Sequence, residues 1–152
     1  MGIKTVKPTG FQEFTASGSF TVPAGVTLVY VSGCAGGGGS VSNGTDAPSI
    51  GGAGRSVVRK PMAVTPGAVL PVVVGAAGGT GLSGGSTTFN GMLLKGGAPG
   101  MSLSGGAFMA QIGQSSPWGC GTLGTGFGFG VGGGTNGSSQ SVGTAGYLII
   151  EW

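Results

Sequence analysis

Glycine supplies 39 of the 152 residues, roughly one in four against about 7% in ordinary chains. Six Lys or Arg, three Asp or Glu and no His give a net charge of +3, which excludes a His-based catalytic triad and a His-containing metal site. The three carboxylates, Glu13, Asp46 and Glu151, lie far apart in sequence, so a paired-carboxylate hydrolase is not expected either. A disordered glycine-rich chain would combine low hydrophobicity with high net charge. Here apolar residues are 39% and mean hydropathy is +0.38, which points to one packed domain. Collagen is excluded because the Gly-X-Y repeat does not run through the chain. The most apolar run, Val69 to Ala77, is broken by Pro71 and Gly75 and is too short to span a bilayer. Lys4 and Lys7 precede no apolar core, so a secretory signal is not expected.

In chain order, Gly18 to Val22 is the first β-prone run, and Pro23-Ala24-Gly25 turns it. Val26 to Ser32 is a strand with Val26, Leu28 and Tyr30 on one face and Thr27, Val29 and Val31 on the other, both buried or half-buried. Gly33 to Gly54 reads as a glycine-dense loop. Arg55 to Val64 is a strand that Pro61 assigns to an edge or a bulge. Thr65-Pro66-Gly67 has the residues of a type II turn. Val69 to Val74 is a further strand containing Pro71. Ser86 to Phe89 and Met92 to Lys95 flank Asn90-Gly91, the strongest hairpin signal, since a type I′ turn needs positive φ at both central residues. Gly146 to Trp152 is the closing strand. No window carries helical periodicity, so the fold class is all-β: a sandwich of short antiparallel strands with glycine-rich extended segments and loops.

The glycines have their own spacing. Gly75, Gly78, Gly81 and Gly84 recur every third residue, as do Gly33, Gly36 and Gly39. Gly134, Gly137, Gly143 and Gly146 keep the same step, with Gln140 in the missing place. A period of three matches the left-handed extended helix, whose bare edge lets backbones meet and exchange N–H to C=O bonds. Gly75, Gly78, Gly81, Gly84, Gly134 and Gly137 are therefore candidate packing glycines. From Gly124 to Gly132 the period is two, placing Phe127 and Phe129 opposite a naked backbone face.

Motifs with a chemical look carry little. Gly119 to Gly124 and Gly128 to Gly133 fit GxGxxG, but chance supplies such matches at this glycine content and no helix follows to bind a pyrophosphate. Asn43-Gly44-Thr45 and Asn136-Gly137-Ser138 match the glycosylation triplet without a secretion signal. Cys34 and Cys120 have no CxxC spacing and read as small buried thiols, although a bridge between them would close a long loop. No cofactor and no metal is expected, and the chain reads as a non-enzyme. Arg55, Arg59 and Lys60 read as a solvated strand edge, too little charge for a nucleic-acid surface. Met101, Phe108, Met109 and Trp118 fall in or beside the strandless stretch from Leu94 to Pro117. They read as core cover for the glycine layer or as an outward-facing recognition loop.

The order Phe20-Thr-Val-Pro-Ala-Gly-Val26, Val29-Tyr-Val31, Gly33-Cys-Ala-Gly-Gly-Gly-Gly39, Gly51-Gly-Ala-Gly54, Val64-Thr-Pro-Gly67, Val72-Val-Val-Gly75 and Gly143-Thr-Ala-Gly-Tyr-Leu-Ile-Ile-Glu-Trp152 resembles the glycine-rich domain of bacteriophage tail-fibre and adhesin proteins. The resemblance covers about residues 14 to 152. It implies a virion structural protein, assembled in the bacterial cytoplasm, that tips a tail fibre and binds a host-surface glycan or protein through loops. A capsid decoration or baseplate protein is the alternative, and an ice-binding protein a remote one. Residues 1–14 then serve as an attachment arm or linker and 15–152 as the domain. Partners are other virion proteins and further copies of the chain, with three copies favoured. Nucleic-acid binding and membrane insertion are not expected.

Overall fold

The computed structural model describes residues 9–41, 50–100, 135–136, 139–140 and 142–152. The strands are β1 (Phe11–Phe14), β2 (Gly18–Thr21), β3 (Leu28–Cys34), β4 (Ser56–Ala63), β5 (Val69–Val73), β6 (Thr87–Phe89), β7 (Met92–Leu94), β8 (Thr135–Asn136), β9 (Ser139–Gln140) and β10 (Tyr147–Glu151). The protein is all-β: no helix occurs among the described residues. One sheet runs β1-β10-β3-β4, a second runs β2-β5-β6-β7, and β8 pairs with β9. Every pairing is antiparallel.

The two larger sheets bury one face each against the other. Phe20, Val22, Val29, Val31, Val72, Phe89, Leu148 and Ile150 are all buried there. Phe20 sits at the centre, edge-on to Phe89 at 6.0 Å between centroids and tilted against Trp152 at 5.4 Å. On β3 the Val29/Val31 face is the buried one. Leu28 on the opposite face is 44% exposed, so burial is one-sided over that part of the strand.

The turn chemistry follows the residues. Asn90 and Gly91 both have positive φ (44° and 79°), as a type I′ hairpin requires, and β6 and β7 pair across them. Ala68 N donates to Thr65 O around Pro66 and Gly67, and Gly67 has φ 78° at the position that a type II turn reserves for it. β4 is a sheet edge, where Pro61 lacks nothing it needs to donate, and its ladder with β3 shifts register between Val31 and Gly33. Pro71 is tolerated in β5 because the β5–β6 ladder begins only at Val72.

The expected boundary after residue 14 falls inside the fold. Phe11 to Phe14 pair with Glu151 to Leu148, and Thr9 N and Gly10 N both donate to Trp152 O. Trp152 N returns a bond to Gly10 O at 3.0 Å. β1 therefore belongs to the sandwich rather than to an arm. Its sequence signal is weak because only Phe14 of its four residues is buried.

Candidate functional site

Six of the strands continue into glycine-rich segments that leave the sandwich at one end. Segment 35–40 prolongs β3, 75–79 prolongs β5 and 96–100 follows β7. Segments 50–54, 82–85 and 142–146 lead back into β4, β6 and β10. Residues 35–40 are buried throughout and form the axis of the bundle. Their N–H groups point to successive neighbours with a period of three. Ala35 and Gly38 donate to Arg55 and Gly52, Gly36 and Gly39 to Gly85 and Leu82, and Gly37 to Thr144. Their carbonyls accept in the same rhythm: Gly36 and Gly39 from Gly97 and Gly100, Gly37 and Ser40 from Gly78 and Gly81.

The five outer segments also bond to one another in series, from 50–54 through 96–100, 82–85 and 75–79 to 142–146. Gly52 N donates to Ala98 O, Gly84 N to Gly97 O, Gly85 N to Ala76 O and Gly143 N to Gly78 O, all at 2.8–2.9 Å. This is the arrangement that a three-residue helical period permits, since each backbone offers donors and acceptors in several directions around its axis. The cost of ordering so much glycine is offset by buried backbone hydrogen bonds that a side chain would prevent.

Space supports the packing role of three of the six candidate glycines. A Cβ at Gly75 would land on the carbonyl of Gly85, one at Gly84 on that of Gly36, and one at Gly78 would lie 2.5 Å from Leu82 O. Gly81 is a correction. It has φ +67° and sits in the turn closed by Leu82 N donating to Gly79 O, so 75–79 and 82–85 are two antiparallel legs rather than one helix. The turn happens to preserve the three-residue step. Gly134 and Gly137 lie outside the described residues, whereas Gly143 and Gly146 pack against the Gly37 and Cys34 carbonyls.

The junction of sandwich and bundle is held by Thr87, fully buried on β6. Its Oγ1 accepts from Gly75 N and donates to Cys34 O, both at 3.0 Å. It therefore ties the start of two glycine segments to the second sheet. Nothing in the sequence distinguishes it from Thr88. Cys34 is buried beside it, and Cys120 lies outside the described residues.

The molecule has two unlike ends. At one, Thr9 and Trp152 pair, the Pro23–Val26 and Thr65–Ala68 turns meet, and Asn90 Nδ2 donates to Ala63 O at 3.1 Å. Both described termini lie there. At the other end are Ser40, the Gly79–Leu82 turn, Gly100 and Gly143, joined by backbone bonds. The chain leaves this second end at Gly100 and re-enters it at Val142. The recognition candidates Met101, Phe108, Met109 and Trp118 lie outside the described residues, in the connection between those two points. The expected loop from Leu94 is shortened at its start: Leu94 closes β7, and 96–100 is a leg of the bundle.

Charge is concentrated on the first sheet. Arg59, with φ 47°, donates its backbone N–H to Ser32 Oγ at 2.8 Å. Its guanidinium lies 4.9 Å from the Tyr30 ring centroid and 3.3 Å from both Glu151 carboxylate oxygens. The basic edge is thus partly neutralised. At 49% exposure for the Arg59 side chain, that pair stabilises the fold little. Glu13 and Glu151 share this outer face on neighbouring strands, but Glu13 is engaged by Tyr147.

Burial, the hydrogen bond with Glu13 and the Glu13 charge push the Tyr147 hydroxyl up to about 12. The unfolded chain therefore ionises this tyrosine first, and the folded state holds the extra proton. The contribution is fully present below about pH 10, the ordinary tyrosine value, and is lost as pH rises through 12. In alkaline denaturation series, Tyr147→Phe is expected to lose less stability between those limits than the parent chain.

Comparison with known proteins finds no family model that matches the chain and no curated protein similar to it.

Proposed function

We propose that this protein is a non-enzymatic bacteriophage virion component, a tail-fibre tip or adhesin that contacts the host surface. The observation that favours this reading is the polarity of the fold. Both described termini lie at the sandwich end, and the long connection between Gly100 and Val142 departs from the opposite end of the glycine bundle. A protein attached through its termini would then turn the bundle end that holds Gly100 and Val142 away from the particle. The bundle between them is cross-braced by backbone hydrogen bonds, which suits a rigid support for a binding loop. The sequence resemblance supplies the biological context, a virion assembled in the bacterial cytoplasm.

The test is to change Phe108, Met109 and Trp118 together to Ser in an otherwise intact particle. Loss of host adsorption with normal assembly is expected. Lys95 is the only charge between Leu94 and Trp118, so parent adsorption is expected to depend only weakly on salt. Normal adsorption, or particles that fail to assemble or lose shell stability, would favour a decoration or baseplate protein instead.

A further inference from the structure

An asparagine followed by glycine is open to a spontaneous rearrangement, because glycine leaves the backbone nitrogen between them unshielded. At Asn90-Gly91 the Gly91 nitrogen would bond to Asn90 Cγ, the Cγ–Nδ2 bond would break, and ammonia would leave carrying the Gly91 amide proton. Water then opens the resulting imide. Cleavage of the new N–Cγ bond gives aspartate. Cleavage of the original peptide C–N bond gives isoaspartate, whose backbone runs through Cβ and Cγ. Exposure favours the reaction here: both residues face solvent, and a Cβ at Gly91 would meet nothing within 4 Å. The turn opposes it. Ring closure needs Gly91 N and Asn90 Cβ on the same side of the Asn90 Cα–C bond. Asn90 and Gly91, at φ 44° and 79°, form a type I′ turn, whose ψ at the first central residue is about +30°. That ψ rotates Gly91 N to about 150° from Cβ around the bond, nearly opposite it. The side chain is also held elsewhere. Asn90 Nδ2 donates to Ala63 O at 3.1 Å, reaching from the hairpin to the end of β4 in the other sheet.

We infer that Asn90 is a latent modification site, barred from this rearrangement while the β6–β7 hairpin is closed and released when β7 detaches. The hairpin can open without the rest of the sandwich. β6 and β7 have three residues each, and β7 is a sheet edge that pairs with β6 alone. What holds β7 in place is the burial of Met92 and Leu94, so its release is rare but local. The change runs one way. Isoaspartate adds a carbon to the backbone of a two-residue turn, so Phe89 and Met92 no longer meet across it. Aspartate keeps the turn but sets a carboxylate, which only accepts, against the Ala63 carbonyl, and the tie between the sheets is lost. Position 90 therefore records each lasting opening of the hairpin. The inference does not depend on the adhesin reading.

Peptide mapping by mass spectrometry tests it, on the purified full chain held at body temperature in mildly alkaline buffer with and without denaturing urea. Aspartate plus isoaspartate at position 90 is expected to form on the order of a hundredfold more slowly in the folded chain, because β7 must first draw Met92 and Leu94 out of the core. Leu94→Ala is expected to quicken the reaction about tenfold or more in the folded chain, since it removes part of what holds β7. Phe14→Ala, at the opposite edge of the first sheet, is expected to lower Tm while leaving the rate at position 90 at the parent value. Met92→Ala serves if Leu94→Ala fails to fold. Three results would each overturn the inference: folded and unfolded parent chains that react equally fast, a folded Leu94→Ala or Met92→Ala chain no faster than the parent, or a folded Phe14→Ala chain as fast as Leu94→Ala.

Discussion

Gly78→Ala is expected to cost several times more stability than Gly79→Ala, although the two residues are neighbours in one segment. A Cβ at Gly78 would sit 2.5 Å from Leu82 O and 2.9 Å from both Gly38 Cα and Gly84 N. All three are backbone atoms held by the bundle's own hydrogen bonds, so none can swing aside. A Cβ at Gly79 meets only Leu82 Cδ1, at 3.5 Å, an ordinary contact with a side chain that is 63% exposed. Gly36→Ala is harsher than either, because its Cβ falls on the Ala76 carbonyl at the core of the bundle. Gly36→Ala and Gly78→Ala should each cost on the order of 3–5 kcal/mol, the upper range for a core substitution. That corresponds to a drop of about 10 °C or more in Tm for a domain of this size. Gly79→Ala should fall within about 0.5 kcal/mol of the parent, with reduced unfolded-chain entropy offsetting any minor strain. Thermal or urea unfolding of the three variants decides the matter. Equal losses at positions 78 and 79 would mean that these glycines serve chain flexibility rather than close packing.

This contrast marks what the sequence discloses and what it withholds. Local chemistry is readable: Asn90-Gly91 dictates a type I′ hairpin, Pro66-Gly67 a type II turn, and β-branched runs the strands β3, β4, β5 and β10. The three-residue glycine step returns in the bonding of residues 35–40, whose N–H groups reach the same neighbour every third residue, because a spacing along one segment is local. Which segments become neighbours is not local. Gly36 meets residues 76, 85 and 97, and no spacing within 33–40 names them. Gly81 shows the hazard, since its turn closes in a number of residues that keeps the period unbroken. β1 escapes detection for another reason. Its one buried residue, Phe14, leaves no alternation to read, and its stability comes from pairing with the far end of the chain. Of the candidate site, the sequence names Met101, Phe108, Met109 and Trp118 by residue type alone. The fold adds the place from which their connection departs.

Thr87→Val is the most informative single change at the junction, because it alters hydrogen bonding and almost nothing else. Valine keeps the branched shape that fills this fully buried site and the β propensity that suits β6. It removes the hydroxyl that accepts from Gly75 N and donates to Cys34 O, at 3.0 Å each. Gly75 N cannot turn to water from beneath the sheets, so it keeps its desolvation penalty without the compensating bond. The expected loss is about 2–4 kcal/mol, the penalty for the unpaired Gly75 N–H together with the loss of the bond to Cys34 O. Thr87→Ser retains the hydroxyl and gives up one methyl, so it should lose only about 1 kcal/mol. The order of the two variants carries the argument. If packing alone held the junction, Val would be the milder change and Ser the worse. If the hydroxyl couples sandwich to bundle, Val is worse, and the damage has a location. Amide exchange should quicken first at Gly75, Gly78 and Gly146, whose N–H groups belong to the two segments that begin or end beside Thr87. The outer end of the β1–β10 ladder, where Phe11 pairs with Glu151 beside Trp152, should exchange as slowly as in the parent, because it lies at the opposite end of the sandwich from the junction.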